Sequence, residues 1–301
     1  MRRADVVFSF CHQAPNGLRP DRSGRLRIFY FCTTTHNALV KACAEPLETI
    51  ANTPNNFIFV LNHSMRNSFE TAGIVCHVWN HGVDLNVFFP RKRPRTDHIT
   101  FGFVGQVGNF KRRGFLVECF VDAFGQQPNQ AQLLVLTGGN SLPGITKLPH
   151  NIQLVAKRPH AELAEFYRRL DCLVTFSWAE GYNMPLLEAL ACGVPCIVPD
   201  MPEMHEDPYD ILCQHVPTRR VINPEVLLGT HFAPRQIDLY FTPPWVHDVD
   251  REAAVTALRA FKPENKISGI DQRHTWLGRI QGQFLPVVEP ALRAIIEAPQ
   301  R

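Results

Sequence analysis

The sequence predicts an α/β fold built on parallel sheets and divided into two domains. Three observations predict it. Short β-rich apolar runs alternate along the chain with stretches of helical periodicity, the pattern of parallel α/β units. One Pro-punctuated basic stretch, Pro90-Arg91-Lys92-Arg93-Pro94-Arg95, breaks that alternation, and its prolines and cations suit neither a strand nor a helix interior. The length, 301 residues with 45% apolar, supplies core for about two domains.

Each element follows from its own pattern. In the first ninety residues strands are expected at 6–10, 26–31, 57–61 and 75–79, with helices at 36–50 and 65–71. The first strand starts almost at once. A linker at 91–98 separates domain 1–90 from domain 99–261, where a more complete series runs: strands at 99–104, 133–136, 152–155, 172–176 and 194–198. The segment 115–124 reads as a helix apolar on most faces. Leu163, Phe166, Tyr167 and Leu170 fall on one face of another helix. Pro185 occupies a favoured first helical position, and Gly193 is suited to the residue just past that helix. From 201 to 244 the pattern weakens into loops. Asp250 is expected to cap a helix at 251–261, and a last helix is expected at 290–298 within a C-terminal helical segment, 262–301.

Composition excludes several classes. A formal charge of +3 gives no ground for a nucleic-acid partner. No apolar run approaches the roughly 18 residues of a membrane span, and the stretch at 6–11 is too short for a signal peptide. Nine cysteines without a Cys-x-x-Cys pair fit reduced thiols in a cytoplasm.

The segment from Phe176 to Glu188 carries the most chemistry. A strand ends, a loop brings Glu180-Gly181-Tyr182-Asn183, and a helix opens at Met184-Pro185 with Glu188 in its early turns. In doubly wound sheets ligands bind outside the carboxyl ends of the strands, where this loop lies. Helix N–H groups favour anionic or hydroxyl-rich ligands, and a carboxylate can accept both hydrogens of a vicinal diol. Two Glu eight apart arise by chance in most chains of this length; the strand–loop–helix frame is what gives them meaning. A second loop, Gly105-Gln106-Val107-Gly108-Asn109-Phe110-Lys111-Arg112-Arg113-Gly114, combines glycines with three cations before a helix, a cradle for a diphosphate or simply a solvated basic helix start. Its spacing is not G-x-G-x-x-G, and the next strand does not end in an acid, which excludes a nicotinamide dinucleotide.

These residues resemble glycosyltransferase family 4, the group 1 retaining transferases of the GT-B fold. The resemblance rests on Asn80-His81-Gly82-Val83-Asp84 with Phe88-Phe89-Pro90, on Phe103-Val104-Gly105 with Arg113-Gly114, and on Ser177 through Val198, in the family's order and spacing. It implies two Rossmann-like doubly wound domains facing a cleft, the N-terminal one incomplete because the family's first strand and glycine-rich loop have no counterpart before Ala4. It implies metal-independent transfer of a hexosyl unit, with retention, from a nucleotide-diphosphate sugar to a glycan, lipid-linked or small-molecule acceptor, with no cofactor and no hydrolase-like carboxylate pair. By the same resemblance Glu180 would contact sugar hydroxyls and Glu188 the ribose. Arg113, with Lys111, would hold the diphosphate, and Gly105, Gln106, Gly181, Tyr182, Asn183, Met184 and Pro185 would line the donor site. Gln106 stands where the family has Arg, and Asn183 where it commonly has Gly. The alternative is a truncated or degenerate relative that binds nucleotide sugar without efficient transfer.

Weaker signals have plainer readings beside them. His12 and His36, near ends of N-terminal strands, are candidates for the acceptor side or structural residues. His77 and His81 are four apart but span a strand and a turn, so no metal site is expected there. Asp248-Val249-Asp250 matches the acidic triplet of metal-dependent transferases, yet its place before a helix favours a cap. The cations at 91–95 suit a solvated linker or peripheral contact with anionic lipid at the inner membrane surface. Cys192 and Cys196 read as packing residues.

Overall fold

Continuous apolar runs make stable parallel strands only where both faces of the sheet are covered, and two such sheets form here. The structure, a computed structural model, describes residues 6–11, 26–31, 44–91, 96–105, 111–137, 148–156, 158–222, 245–263 and 270–297. They divide into two compact units: one takes in the chain up to Gly82 and from Gln272 onward, the other runs over Val83–Ile222 and Trp245–Asp271.

In the first unit β1 (Val6–Cys11), β2 (Leu26–Phe31), β3 (Asn56–Val60) and β4 (His77–Val78) pair in chain order, all parallel. Leu26, Ile28, Phe29, Tyr30 and Phe31 are all buried, so β2 has no solvent face. Helices α1 (Ala44–Ala51) and α2 (His63–Thr71) alternate with the strands. Asn62 caps α2, its side chain accepting the Met65 N–H at 2.7 Å. The strand expected at 75–79 shortens to two residues, since Val75 stands in solvent with nothing to bury against.

The C-terminal residues complete this unit. Trp276–Arg279, a π-helical turn at Ile280–Phe284 and the helix Leu285–Glu297 follow one another without a break. The last helix thus starts at Leu285 rather than at 290 and carries Pro290 inside, which forgoes one backbone hydrogen bond; fully buried Val288 anchors it. Phe284 packs on Trp79 and Phe59, with ring centroids 4.6 and 5.1 Å apart. Gln283 and Asn80 exchange hydrogen bonds: the Asn80 N–H donates to Gln283 Oε1 at 2.9 Å, and Gln283 Nε2 donates to Asn80 Oδ1 at 2.7 Å. At Gly82 the chain comes so close to this segment that a Cβ would lie 2.2 Å from the Trp276 nitrogen.

The second unit holds a six-stranded parallel sheet, β5 (Ile99–Val104), β6 (Ala131–Thr137), β7 (Ile152–Ala156), β8 (Cys172–Val174), β9 (Cys196–Pro199) and β10 (Cys213–Val216), in the order β10-β9-β8-β5-β6-β7. That is a doubly wound sheet whose winding reverses between β5 and β8. Helices α3 (Arg113–Phe124), α4 (His160–Arg168), α5 (Met184–Ala191), α6 (Tyr209–Leu212) and α7 (Arg251–Ala260) accompany it. Phe101, Phe103, Phe120, Phe124 and Phe176 share its core. Gly102 sits where a Cβ would meet Leu170 Cδ1 at 2.2 Å, so the strand needs a glycine for the helix face to seat. Asp250 caps α7 through the Ala253 N–H at 2.7 Å. Part of the stretch expected as loops, 201–244, is strand: β10 extends the sheet, and β11 (Thr218–Ile222) pairs antiparallel with β12 (Trp245–Val249). These strands are edge and ribbon pieces with one exposed face, so they carry no continuous apolar run. Residues 223–244 lie outside the described residues, as do 92–95 of the basic linker.

Candidate functional site

β5 and β8 are hydrogen-bonded neighbours, Phe101 opposite Cys172 and Gly102 opposite Leu173, yet the chain leaves them toward opposite sides of the sheet. Their loops therefore part at the carboxyl edge, the place where doubly wound sheets bind ligands. Gly105, packed so close to Phe103 that a Cβ would meet the ring at 2.8 Å, opens the first loop, and Lys111, Arg112 and Arg113 close it. Gln106 lies outside the described residues, as do His12 and His36. The second loop runs from Thr175, whose hydroxyl lies 2.9 Å from that of Ser177, to Asn183.

The two helices that leave these loops start alike. Arg112 before α3 and Asn183 before α5 both hold left-handed backbone, at φ 48° and φ 57°, and neither side chain caps its helix. Asn62 and Asp250 cap theirs. First-turn N–H groups at the switch point are thus left without a side-chain acceptor, as they also are at the starts of α4 and α6; at the carboxyl edge of the sheet they favour an anionic ligand. The left-handed geometry also accounts for Asn183, because Asn is the side chain that tolerates a position otherwise suited to Gly.

Charge is arranged around those helix starts. Lys111 Nζ sits 2.5 and 2.7 Å from the two carboxylate oxygens of Glu180, with both side chains largely buried. Arg112 pairs with Asp248 at 3.0 Å and lies over the rings of Phe115 and Trp178. Burial pushes its guanidinium pKa down, an effect that Asp248 opposes. Arg113 differs from both. It is 6% exposed, its Nη1 donates to Thr137 Oγ1 at 2.8 Å, and no carboxylate among the described residues pairs with it. Burial lowers its pKa as well. A buried cation beside the positive end of a helix is unfavourable until an anion arrives.

Glu188 projects from α5 into the core. Its Oε2 accepts the Tyr167 hydroxyl at 2.7 Å, and His160 Nε2 lies 3.8 Å from Oε1. Burial raises the Glu188 pKa, while the Tyr167 hydrogen bond and His160 pull it back. Tyr182 is buried against the Tyr209 ring, centroids 5.3 Å apart; Gly181, Met184 and Pro185 are half-buried at the helix entrance. Two buried donors, Asn183 Nδ2 and Trp178 Nε1, have no hydrogen-bond partner among the described residues. Such orphans suit an acceptor-rich ligand.

The structure brings Glu180, Lys111, Arg113, Gly105, Asn183 and Glu188 to the loops and helices of one switch point. Tyr167 is legible in the sequence only as part of an apolar helix face; a buried tyrosine needs a partner for its hydroxyl, and that is the signal for its bond to Glu188. Thr137 and Asp248 are further neighbours of this region that the sequence does not bring together. Asp248 serves an ion pair and Asp250 a cap. His81 packs between Tyr30 and Trp276, and its pKa is pushed down to about 4 by burial. Arg91 pairs with Glu165 at 2.9 Å. Cys192 and Cys196 are buried thiols. Among the described residues no helix is long and apolar enough to cross a membrane.

Known proteins resemble this chain in part. The family model described as Glycosyl transferases group 1 matches residues 98–217, the stretch from β5 through β10 that carries both loops. The D-inositol 3-phosphate glycosyltransferase of Corynebacterium jeikeium is 30% identical over 109 residues, 32% of this chain and 26% of that protein. Its counterpart in Kribbella flavida is 29% identical over 142 residues, 40% of this chain and 34% of that one. The chain thus spans about a third or less of the curated relatives it matches. A glycosyltransferase structure from Rickettsia africae aligns with a TM-score of 0.57 at 16% identity, covering 89% of this chain and 71% of its own. At that identity the likeness is one of fold. Together these findings show an α/β fold like that of GT-B glycosyltransferases, and a likeness to the group 1 model confined to the stretch around the β5–β8 switch point.

Proposed function

We propose that the chain is a retaining hexosyltransferase that moves a hexosyl unit from a nucleotide-diphosphate sugar to an acceptor hydroxyl without a catalytic metal. One observation carries the reading: Arg113 is a buried cation with no carboxylate partner among the described residues, set at the start of an uncapped helix. A diphosphate supplies the missing negative charge. As the glycosyl bond breaks, charge grows on the departing nucleoside diphosphate, and a preorganised guanidinium with helix amides stabilises it without a cation. Glu180 receives sugar hydroxyls with Lys111 holding it in place, and Glu188, oriented by Tyr167, receives the ribose diol.

The acceptor is a glycan, a lipid-linked sugar or a small molecule; the likeness to the D-inositol 3-phosphate glycosyltransferase of Corynebacterium jeikeium makes inositol 3-phosphate the first small acceptor to assay. Free thiols such as Cys76, Cys119 and Cys172 accord with a cytoplasmic reaction, with peripheral contact to the inner membrane surface where the acceptor is lipid-linked. A second reading, nucleotide-sugar binding without efficient transfer, is favoured by the Lys111–Glu180 pair, which already occupies the carboxylate that the sugar needs.

Titration of the purified chain with UDP-, GDP- and ADP-hexoses, followed by donor turnover with and without acceptors and with chelator, separates these readings. Chelator-resistant turnover that yields the donor's anomeric configuration supports the first. Tight binding with no turnover, even as slow hydrolysis, establishes the second, and absence of binding removes both.

A further inference from the structure

Beyond the switch point, at the far edge of the same sheet, Asp200, His205 and His215 come together. Asp200 follows β9, His205 ends the short helical turn Pro202–Met204, and His215 lies on β10 opposite Val198. His205 Nε2 is 2.7 Å from Asp200 Oδ1, and its Nδ1 is 2.6 Å from Asp210 Oδ1. The His215 ring stacks on His205 at 4.7 Å, tilted by only 10°. Both ring nitrogens of His215 are buried and have no hydrogen-bond partner among the described residues. One ligand atom from each of Asp200, His205 and His215 falls within 4.8 Å of the others.

We propose that Asp200, His205 and His215 bind a divalent transition-metal ion of the Zn2+ class, with Asp210 holding His205 in register from outside. Three features carry the assignment. The donor set, two imidazoles and a carboxylate, is the borderline nitrogen–oxygen kind that selects such ions over Mg2+ or Ca2+. A ligating histidine characteristically donates its other ring N–H to a carboxylate, and Asp210 stands at that nitrogen. Buried ring nitrogens without partners, as in His215, are unfavourable unless something absent from the protein atoms meets them. The charges also close: two carboxylates balance one divalent ion and two neutral imidazoles. Ligand atoms in a tetrahedral Zn2+ shell stand about 3.4 Å apart, so the widest pair closes by a little over 1 Å; Asp200, about half exposed, has room to turn that far. The ion would tie β10 and the turn after β9 together. Neither Glu180 nor Glu188 takes part, so the site stands or falls apart from the donor reading.

The test uses the full chain, stripped with a chelator and then titrated with Zn2+ against a chromogenic competitor. One equivalent is expected to bind. Co2+ in its place is expected to give visible ligand-field absorption that Zn2+ abolishes. His215→Ala should weaken Zn2+ binding at least 100-fold, and Asp210→Asn, on an exposed side chain, about 10- to 100-fold. His77→Ala, on β4 of the first unit, should leave affinity unchanged. If His215→Ala does not fold, Asp210→Asn and the Co2+ spectrum decide. A wild-type chain that takes up no Zn2+ overturns the proposal and leaves His205 as a bridge between two carboxylates. Binding that survives both His205→Ala and His215→Ala also overturns it, by placing the ion elsewhere.

Discussion

Lys111 and Glu180, 69 residues apart, join the loop after β5 to the loop after β8 through a two-point contact at 2.5 and 2.7 Å. The pair is nearly out of water, with Glu180 5% exposed. Its main effect is to hold the two halves of the switch point together. Whether it favours folding depends on both charges being present, because either one alone would be a buried, unpaired ion.

Lys111→Met is therefore expected to destabilise the chain by about 3 kcal/mol, and Glu180→Gln by a similar amount, while the double variant recovers most of the loss. Guanidinium unfolding of the four proteins in the cycle measures the coupling. Additive losses would mean that the contact contributes nothing of its own.

Arg113→Met should behave in the opposite way. The substitution removes an uncompensated buried charge, so unfolding stability should stay level or rise, while nucleoside-diphosphate affinity falls by about 2 kcal/mol, the scale of a charge-assisted hydrogen bond. Calorimetric titration with UDP and GDP reads the second effect. A destabilised protein that binds as well as wild type would make Arg113 a structural residue.

Glu188 sets a pH dependence. Burial raises its folded-state pKa above the ordinary 4.5, so the folded protein holds that proton more tightly than the unfolded chain does. Stability from this group is full below 4.5 and is lost as the pH rises through the folded value. Glu188→Gln, which keeps an acceptor for Tyr167, should remove that loss: its unfolding midpoint gains on wild type as the pH rises from 4.5 through the folded value. Tyr167→Phe should raise the Glu188 pKa further, since the hydroxyl favours the charged form; carbon NMR of the carboxyl group follows it.

Gly82→Ala should open the contact with the C-terminal helical run, because the new methyl would meet backbone, which cannot turn aside as a side chain can. A cost of at least about 2 kcal/mol is expected. Hydrogen exchange in Trp276–Arg279 is the direct readout: protection there should fall, while the core strands β5 and β6 keep theirs.

How much of this was legible depended on how local each cause was. Ile99–Val104 and Leu26–Phe31 are legible at their full length because a strand covered on both faces is apolar at most of its positions, Thr100 and Arg27 excepted. Glu180 and Glu188 were legible because a strand end, a loop and Pro185 frame them within a dozen residues. Cys213–Val216 was not, since an edge strand needs only Val216 buried deeply. Nor was the partnering of Lys111 with Glu180 rather than with solvent, or of Arg112 with Asp248, because those contacts cross between loops that only the sheet order brings together. The Asp200–His205–His215 cluster was invisible for the same reason: its members come from a strand end, a turn and the next strand, with no ligand-like spacing.

The packing of Phe284 on Trp79 and Phe59, with Gln283 on Asn80, has a consequence for biosynthesis. The first unit cannot close when its own strands leave the ribosome; its aromatic face must wait, uncovered, until residue 284 has been made. The middle unit has its whole sheet by Val216 and its last core helix by Ala260. The order of completion is thus inverted relative to the order of synthesis: the part translated first is finished last, and the exposed Trp79–Phe59 surface is where a nascent-chain chaperone would be needed most.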